Sequence, residues 1–316
     1  MPDNLFNHSD QRFANLVRSL TKFIRCPFEI QKYFLSAFLT SGHILLEGLP
    51  GTGKTSLAKE LARTVNADFK RIQFTADLMP GDVTGNLAFD KESSEIKFVK
   101  GPIFTNILLA DEINRSPPRT QSALLECMDE NQITVDERTY KLEAPYFVIA
   151  TQNPADLQGT FPLPENQLDR FALKLSLNYL SPEEEISLFR PFLPKTKNTE
   201  VSPAISKADV LELMEAIGKI EISQEVKLYA ANLVAASREH SQTTLGGSPR
   251  ATFSTLRCCQ ALAFFDDSSV VSPDHIRELF PYAIKHRLRL DDSGFIADSE
   301  KDKVIEEILE NIEPPF

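Results

Sequence analysis

The sequence of 316 residues has no long apolar segment and no amino-terminal leader pattern. No run approaches the ~18 consecutive apolar residues that suggest a membrane-spanning helix. The first residues, from Met1 to Asn4, lack the basic and then apolar order of a secretory signal. We therefore expect no membrane insertion and a cytoplasmic location.

Basic residues are in deficit as well. The chain has 34 Lys and Arg against 45 Asp and Glu, which gives a net charge of −11. Non-specific binding to nucleic acid depends on neutralising phosphates with Lys and Arg. The charge balance therefore disfavours nucleic-acid binding, although it does not exclude a local basic groove.

Cysteine and histidine are few. The four cysteines, Cys26, Cys127, Cys258 and Cys259, form no C-x-x-C pair, and the five histidines show no H-E-x-x-H spacing. We expect free thiols buried in the core and no metal site built from protein side chains alone.

The strongest positive feature is a glycine-rich segment that fits G-x-x-x-x-G-K-[ST]. An apolar strand at residues 44–46 precedes it, and residues 56–62 predict a helix. Glycines let the backbone curl so that N–H groups point at phosphate oxygens, and the helix adds its positive end. The segment predicts a nucleotide site, against the alternative of a plain glycine turn. The expected contacts are Gly48, Pro50, Gly51, Thr52, Gly53, Lys54, Thr55 and Ser56.

A second motif is an apolar run, Ile107 to Ala110, followed by Asp111 and Glu112. Such a run suits a strand buried on both faces of a parallel sheet, and ligands bind at the carboxyl ends of such strands. Asp111, together with the Thr55 hydroxyl, is the expected Mg²⁺ ligand. Glu112 can orient and deprotonate an attacking water. Many strands end in acids, so the motif gains its meaning from the glycine-rich segment upstream.

Residues 146–151 predict another buried strand, which ends at Asn153 and Pro154. The Asn153 amide can hydrogen-bond a γ-phosphate oxygen or the attacking water. The alternative is a turn asparagine before proline. Turn signals around short strands predict a hairpin insertion at residues 79–101, with a plain surface loop as the alternative. Residues 133–135 and 139–142 predict a second hairpin.

The chain is long enough for about two domains of ~150 residues. We place an α/β domain at 1–180 and a helical domain at 181–316, which opens with a helix at Ser181 and continues through a linker at 191–203. From Ser206 the pattern is helical without strand signals, with helices near 223–240, 248–265 and 273–288 and a final one at 299–315.

Arg250 stands in the first turn of one of these helices, after Ser248 as N-cap and Pro249 as first residue. A cation there opposes the helix dipole. A bound anion would remove that penalty, and so would a nearby carboxylate on an exposed arginine.

The motifs GLPGTGKT, ILLADE, ATQNP and QLDRF, in this order and spacing, resemble an AAA+ ATPase. The longer segments DEINRSPPRTQSALLECMDE, GTFPLPENQLDRF and GGSPRA are similar to the MoxR family. The resemblance implies an α/β P-loop core with a five-stranded parallel sheet in the order 5-1-4-3-2 and a smaller all-α lid. It also implies ATP with Mg²⁺ at the subunit interfaces of a ring, commonly a hexamer.

The resemblance assigns roles to three further residues. Asn153 matches sensor 1, Arg170 matches the arginine finger that enters a neighbour's site, and Arg250 matches sensor 2. Sequence alone leaves Arg170 equally open to a salt bridge with Asp169 or Glu165. Both hairpins would point toward the pore or client face of the ring.

The MoxR resemblance suggests an ATP-hydrolysing, chaperone-like protein. Its role would be to remodel or mature client proteins, for example by metal or cofactor insertion, often with a partner that carries a von Willebrand factor A domain. One alternative is a DNA-associated motor, which acidic residues among the hairpin lysines disfavour. The other is a nucleotide-gated switch with little turnover, which the presence of Glu112, Asn153 and Arg170 disfavours.

Overall fold

A computed structural model describes residues 8–24, 26–49, 51–92, 94–135, 138–153, 159–177, 203–290 and 298–316. The boundary predicted at 180/181, the helix predicted at Ser181 and nearly all of the linker predicted at 191–203 lie outside these ranges. The division into two domains therefore stays a prediction.

The described elements include both strands and helices up to residue 177 and are mainly helical after residue 203. The strands are β1 (His43–Gly48), β2 (Phe69–Gln73), β3 (Gly85–Asp90), β4 (Glu95–Lys100), β5 (Ile107–Asp111), β6 (Gln132–Val135), β7 (Arg138–Lys141), β8 (Phe147–Gln152), β9 (Phe171–Leu177), β10 (Thr243–Leu245) and β11 (Arg289–Leu290). The helices are α1 (Gln11–Phe23), α2 (Phe28–Leu39), α3 (Lys54–Thr64), α4 (Pro80–Thr84), α5 (Pro118–Glu130), α6 (Glu165–Leu168), α7 (Lys207–Gly218), α8 (Gln224–Glu239), α9 (Pro249–Phe265), α10 (Pro273–Ile284) and α11 (Asp298–Asn311). Short 3₁₀ turns follow β5 (Ile113–Arg115) and α10 (Lys285–Arg287).

Five strands form one parallel sheet in the order β2-β5-β8-β1-β9. Counted as first to fifth along the chain and taken from the β9 edge, the order is 5-1-4-3-2. The predicted sheet is therefore confirmed.

Both faces of this sheet are buried, as the apolar runs predict. Along β1, Ile44 and Leu46 enter one apolar cluster with α1, α2 and α3, whereas Leu45 enters another with α4 and α5. Successive side chains of a strand point to opposite faces. Wholly apolar strands can thus fill a helical layer on each side, which produces a three-layer core.

The two predicted hairpins are present. β3 pairs with β4 and β6 with β7, both antiparallel. Phe98 of β4 packs against Tyr140 of β7 with ring centroids 4.5 Å apart, and Phe104 contacts both rings. The aromatic contact joins the two hairpins on one side of the molecule.

The helical lid is confirmed for the described residues 206–290 and 298–311. Four of its helices begin with a serine that accepts a backbone N–H, at Ser206, Ser223, Ser248 and Ser272. Such caps satisfy amide groups that the first turn leaves unpaired. One addition is a small antiparallel pair, β10 with β11, whose partners are more than 40 residues apart in the chain.

The lid is continuous with the core. One apolar cluster includes Phe34 of α2, Leu46 of β1, Leu262 of α9 and Ile305 of α11. Three cysteines are buried free thiols, as expected, whereas Cys26 is only partly buried. Among the described residues no helix is long and apolar enough to cross a membrane.

His43, at the start of β1, ties three elements together. Its Nδ1 accepts a hydrogen bond from Val148 N at 3.1 Å, and its Nε2 lies 3.0 Å from Met128 O. Because Nδ1 is the acceptor, Nε2 carries the proton and donates to that carbonyl. Burial lowers the pKa of His43 to about 4, which the carbonyl of Met128 and the charge of Asp129 oppose.

His43 should therefore make the fold sensitive to acid. Its pKa in the unfolded chain is ~6.5, so the unfolded state takes up the proton first as pH falls. Stability should fall between about pH 6.5 and the native pKa of about 4. Between pH 7 and pH 4.5 the contribution of His43 should be about 2 kcal/mol.

Urea denaturation at the two pH values, for wild type and for His43→Gln, measures this contribution. Glutamine keeps a donor and an acceptor but does not titrate. We expect the acid-induced loss of stability to be about 2 kcal/mol smaller in the variant. An equal loss in both proteins would contradict the assignment.

Candidate active site

The glycine-rich segment connects β1 to α3 as a tight loop. Gly51 and Gly53 have φ angles of +86° and +87°, in the left-handed region that favours glycine. At Gly48 the constraint is space, because a β-carbon there would lie 2.7 Å from the carbonyl oxygen of Leu177. Helix α3 begins at Lys54, directly after the second left-handed glycine.

The loop borders a cleft of about 370 Å³ at the carboxyl end of the sheet, which we call the phosphate cleft. Ten predicted site residues line it: Gly48, Gly51, Thr52, Gly53, Lys54, Thr55, Ser56, Asp111, Glu112 and Asn153. The cleft also includes four residues that the sequence analysis missed: Arg71, Gln73, Thr151 and Gln152. Pro50 lies outside the described residues.

Lys54 reaches back over the loop. Its Nζ donates to Gly48 O at 2.6 Å and to Leu49 O at 2.9 Å. Burial lowers the pKa of Lys54 from its ordinary value, and the carboxylates of Asp111 and Glu112 oppose that shift. An ammonium that is partly withdrawn from water attracts phosphate oxygens more strongly than an exposed one.

Asp111 is held by residues on both neighbouring strands, since β5 lies between β2 and β8. Arg71 of β2 donates to Asp111 Oδ2 from Nε at 3.0 Å and from Nη2 at 2.6 Å. Thr151 of β8 donates to Asp111 Oδ1 at 2.6 Å. Donors on both neighbouring strands therefore hold the carboxylate of Asp111 in one orientation at the border of the cleft.

Glu112 has a φ of +55°, in the left-handed region that is unusual for a residue with a side chain. Its N–H donates to Thr151 Oγ1 at 2.9 Å. Its Oε2 accepts from Gln73 Nε2 at 3.1 Å and lies 2.8 Å from Arg115 Nε. Such strained backbone clusters at functional sites, and here it turns the side chain after the end of β5.

Thr151 joins the two acidic residues, because one hydroxyl donates to Asp111 and accepts from the amide of Glu112. It is fully buried. The missed residues share one signal: Arg71, Gln73 and Thr151 stand near the carboxyl ends of strands beside β5. Ligands in open α/β sheets bind at that edge.

The donor set fits a magnesium–nucleotide complex. Left-handed glycines, the Lys54 ammonium and the start of α3 converge beside the Thr55 hydroxyl and the Asp111 carboxylate. Hydroxyl and carboxylate oxygens are ligands that Mg²⁺ accepts, with waters and phosphates completing its shell.

Arg170 and Arg250 do not line the phosphate cleft. They border a second cleft of about 330 Å³, which we call the arginine cleft, together with Asp129 and Arg257. Arg170 directly precedes the first residue of β9. Phe171 pairs with His43 and Leu177 pairs with Gly48, and six residues of strand span about 20 Å. Arg170 therefore lies at the opposite end of the sheet from the glycine-rich loop.

Asp129, near the end of α5, contacts both arginines. Arg170 Nη1 lies 3.2 Å from Asp129 Oδ2 and donates to Leu125 O at 2.5 Å. Arg250 Nη1 lies 2.8 Å from Asp129 Oδ1. The nearby carboxylate considered for Arg250 is thus present.

The acids considered as partners of Arg170 are bound elsewhere. Asp169 pairs with Arg287 at 2.8 Å and Glu165 with Arg289 at 2.8 Å. The arginine cleft includes four arginines but two aspartates, Asp129 and Asp169. It therefore has a surplus of two positive charges in a chain whose net charge is −11.

A glycine-rich phosphate loop at the carboxyl edge of a five-stranded parallel sheet, with a helical lid, defines the AAA+ class. The family model of the ATPase family associated with various cellular activities matches residues 43–173, and that of the AAA lid domain matches residues 235–308.

Among similar proteins, YeaC of Bacillus subtilis is 41% identical over 89% of this chain and 88% of its own length. Chaperone MoxR1 of Mycobacterium tuberculosis is 34% identical over 91% of this chain and 78% of its own. A crystal structure of a proposed ATPase from Cytophaga hutchinsonii superposes with a TM-score of 0.87 at 38% identity, covering 96% of this chain and 94% of that one. The chain belongs to the MoxR family of AAA+ ATPases.

Removing the Thr151 hydroxyl should lower the stability of the fold, because it removes hydrogen bonds at the acidic end of β5. Thr151→Val keeps the shape but leaves Asp111 Oδ1 without this donor and the Glu112 amide without this acceptor. We expect a loss of about 1–3 kcal/mol in the free energy of unfolding, measured by urea denaturation. Thr151→Ser, which keeps the hydroxyl, is the matched control. Equal stability of the valine and serine variants would contradict this role.

Proposed function

We propose that this chain hydrolyses ATP in a ring of identical subunits and uses the cycle to remodel or mature client proteins. The observation that carries the proposal is the distribution of the charged groups. Lys54, Asp111 and Glu112 converge on the phosphate cleft, whereas Arg170 and Arg250 converge on a separate cleft with surplus positive charge.

Within one subunit, the loop amides and Lys54 hold the phosphates of ATP. Mg²⁺, held by Thr55 and through water by Asp111, would neutralise charge on the phosphate oxygens. Glu112 takes the proton of the attacking water, and Asn153 positions that water or a γ-phosphate oxygen. Arg71 and Thr151 keep the Asp111 carboxylate oriented.

Between subunits, Arg170 and Arg250 neutralise the charge that develops on the neighbour's γ-phosphoryl group. Two features support action across an interface. Arg170 lies about 20 Å along β9 from the end that faces the subunit's own loop. Asp129 balances only part of the charge of the arginine cleft. The family resemblance supports ring formation and a hexameric size as parts of the proposal.

The client role rests on the family and on the hairpins. The relative MoxR1 of Mycobacterium tuberculosis is named as a chaperone. The hairpin β3–β4 exposes Leu87, Phe89 and Ile96, each by half or more of the residue's surface. Adjacent exposed apolar residues mark interaction surfaces. A partner with a von Willebrand factor A domain, metal or cofactor insertion and a cytoplasmic location are further parts of the proposal.

Glu112→Gln tests hydrolysis. The variant should bind ATP as the wild type does, because the loop and Lys54 are unchanged, yet its turnover should fall by at least about 10²-fold without the base. Steady-state phosphate release and fluorescent-nucleotide binding measure the two effects, with Lys54→Ala as a control that loses binding.

Unchanged turnover in Glu112→Gln would remove that residue as the base. Negligible release by the wild type, even after assembly is confirmed, would favour a nucleotide-gated switch. Hydrolysis that rises several-fold with added DNA would favour a nucleic-acid motor.

Subunit mixing tests the arginine finger. Arg170→Ala alone should lose turnover on the order of 10³-fold, and Lys54→Ala alone should be inactive. Mixed rings should regain activity, because Lys54→Ala subunits supply fingers to the intact phosphate clefts of Arg170→Ala subunits. No recovery at any mixing ratio, despite mixed assembly seen by mass spectrometry, would contradict action across the interface.

A further inference from the structure

Arg287 is a buried arginine that the proposed mechanism does not use. It lies in the 3₁₀ turn after α10 of the lid, and only 4% of it is exposed. Burial lowers the pKa of Arg287 from its ordinary value, and the charge of Asp169 opposes that shift. A charged group withdrawn from water is costly unless its partners satisfy it, so its contacts are informative.

Those contacts lie on both sides of Arg170, the proposed arginine finger. Arg287 Nε pairs with Asp169 Oδ1 at 2.8 Å, and Nη2 donates to Asp169 O at 2.9 Å and to Phe171 O at 2.8 Å. Nη1 donates to Ala283 O near the end of α10 and to Ala172 O at 3.4 Å. The guanidinium thus binds the backbone on both sides of Arg170.

A second lid helix holds the same carboxylate. Ser248 Oγ, at the N-cap of α9, donates to Asp169 Oδ2 at 2.7 Å. The same serine accepts the N–H of Arg250. Asp169 is therefore bound by two elements of the lid. One is the N-cap of α9, and the other is the turn after α10.

These contacts with Asp169 are remote from the subunit's own phosphate cleft. Phe171 and Ala172 begin β9, whereas Leu177 at its other end contacts the glycine-rich loop. Arg287 borders the arginine cleft and does not line the phosphate cleft. A change at Arg287 should displace Arg170 and leave the loop in place.

We propose that Arg287 is a positioning residue that couples the orientation of the lid to the arginine finger Arg170. A lid that moves then alters the finger offered to the neighbouring subunit rather than the subunit's own ATP site. This inference rests on the proposed action of Arg170 across the interface. A buried arginine with a purely structural role would affect both sites alike.

The first measurement separates binding from turnover. In Arg287→Met, nucleotide affinity should stay within about twofold of wild type, while kcat should fall on the order of 10²-fold, the cost of displacing a catalytic group by about 1 Å. Arg287→Lys keeps the charge but not the forked contacts. Its kcat should lie between those of wild type and Arg287→Met. Arg289→Met, which removes an exposed ion pair with Glu165, is the matched control and should behave as wild type.

The second measurement identifies the affected site by mixing. With Lys54→Ala subunits, which have intact fingers, Arg287→Met should regain activity. With Arg170→Ala subunits it should not, because neither subunit then presents a positioned finger. Recovery with Arg170→Ala to the level seen with Lys54→Ala would overturn the proposal, and so would a loss of nucleotide binding in Arg287→Met.

The pair Arg170→Ala with Lys54→Ala is measured in parallel. Recovery in this pair establishes the cross-subunit finger, so that a failure of the Arg287 mixtures counts against the coupling alone. No recovery in this pair would overturn the proposed interface mechanism itself. If Arg287→Met fails to fold, the double variant Arg287→Met, Asp169→Asn removes the unpaired charge and is held to the same outcomes.

Discussion

The parallel direction of the five strands is the constraint on which the rest of this structure depends. All carboxyl ends meet at one edge of the sheet, so side chains that follow β1, β2, β5 and β8 converge on the phosphate cleft. The amino ends meet at the other edge, where Arg170 precedes β9. A subunit cannot bring Arg170 to its own phosphate cleft without unpairing β9 from β1.

Much of this arrangement could be predicted from the sequence because the signals are local. A glycine pattern between an apolar strand and a helix identifies the phosphate loop, and continuous apolar runs identify strands buried on both faces. Asp111 and Glu112 could be predicted for the same reason, since they immediately follow such a run.

The missed residues have partners that only the strand order determines. Arg71 and Thr151 meet Asp111 because β2 and β8 flank β5, and no local pattern reveals which strands become neighbours. Strands β10 and β11 pair across more than 40 residues. Arg287 belongs to the run Lys285-His286-Arg287, which by composition alone would be assigned to the surface.

The burial of Arg287 also bears on how the lid relates to the core. The lid and the helices α1 and α2 share one apolar cluster, and the Arg287 guanidinium adds polar contacts between the lid and the start of β9. Apolar packing is tolerant of small sliding, whereas forked hydrogen bonds depend on direction. The contacts of Arg287 therefore define the position of the lid at the start of β9 more strictly than apolar packing alone would.

Asp129 has a consequence for contacts between subunits of the proposed ring. In a separate subunit this carboxylate serves as counter-ion for both Arg170 and Arg250, so the exposed face has no pair of bare guanidinium groups. An arriving phosphate must compete with an anion already present, which lowers the net gain from contact. In the proposed ring, the strength of this contact would therefore depend on the charge of the bound nucleotide.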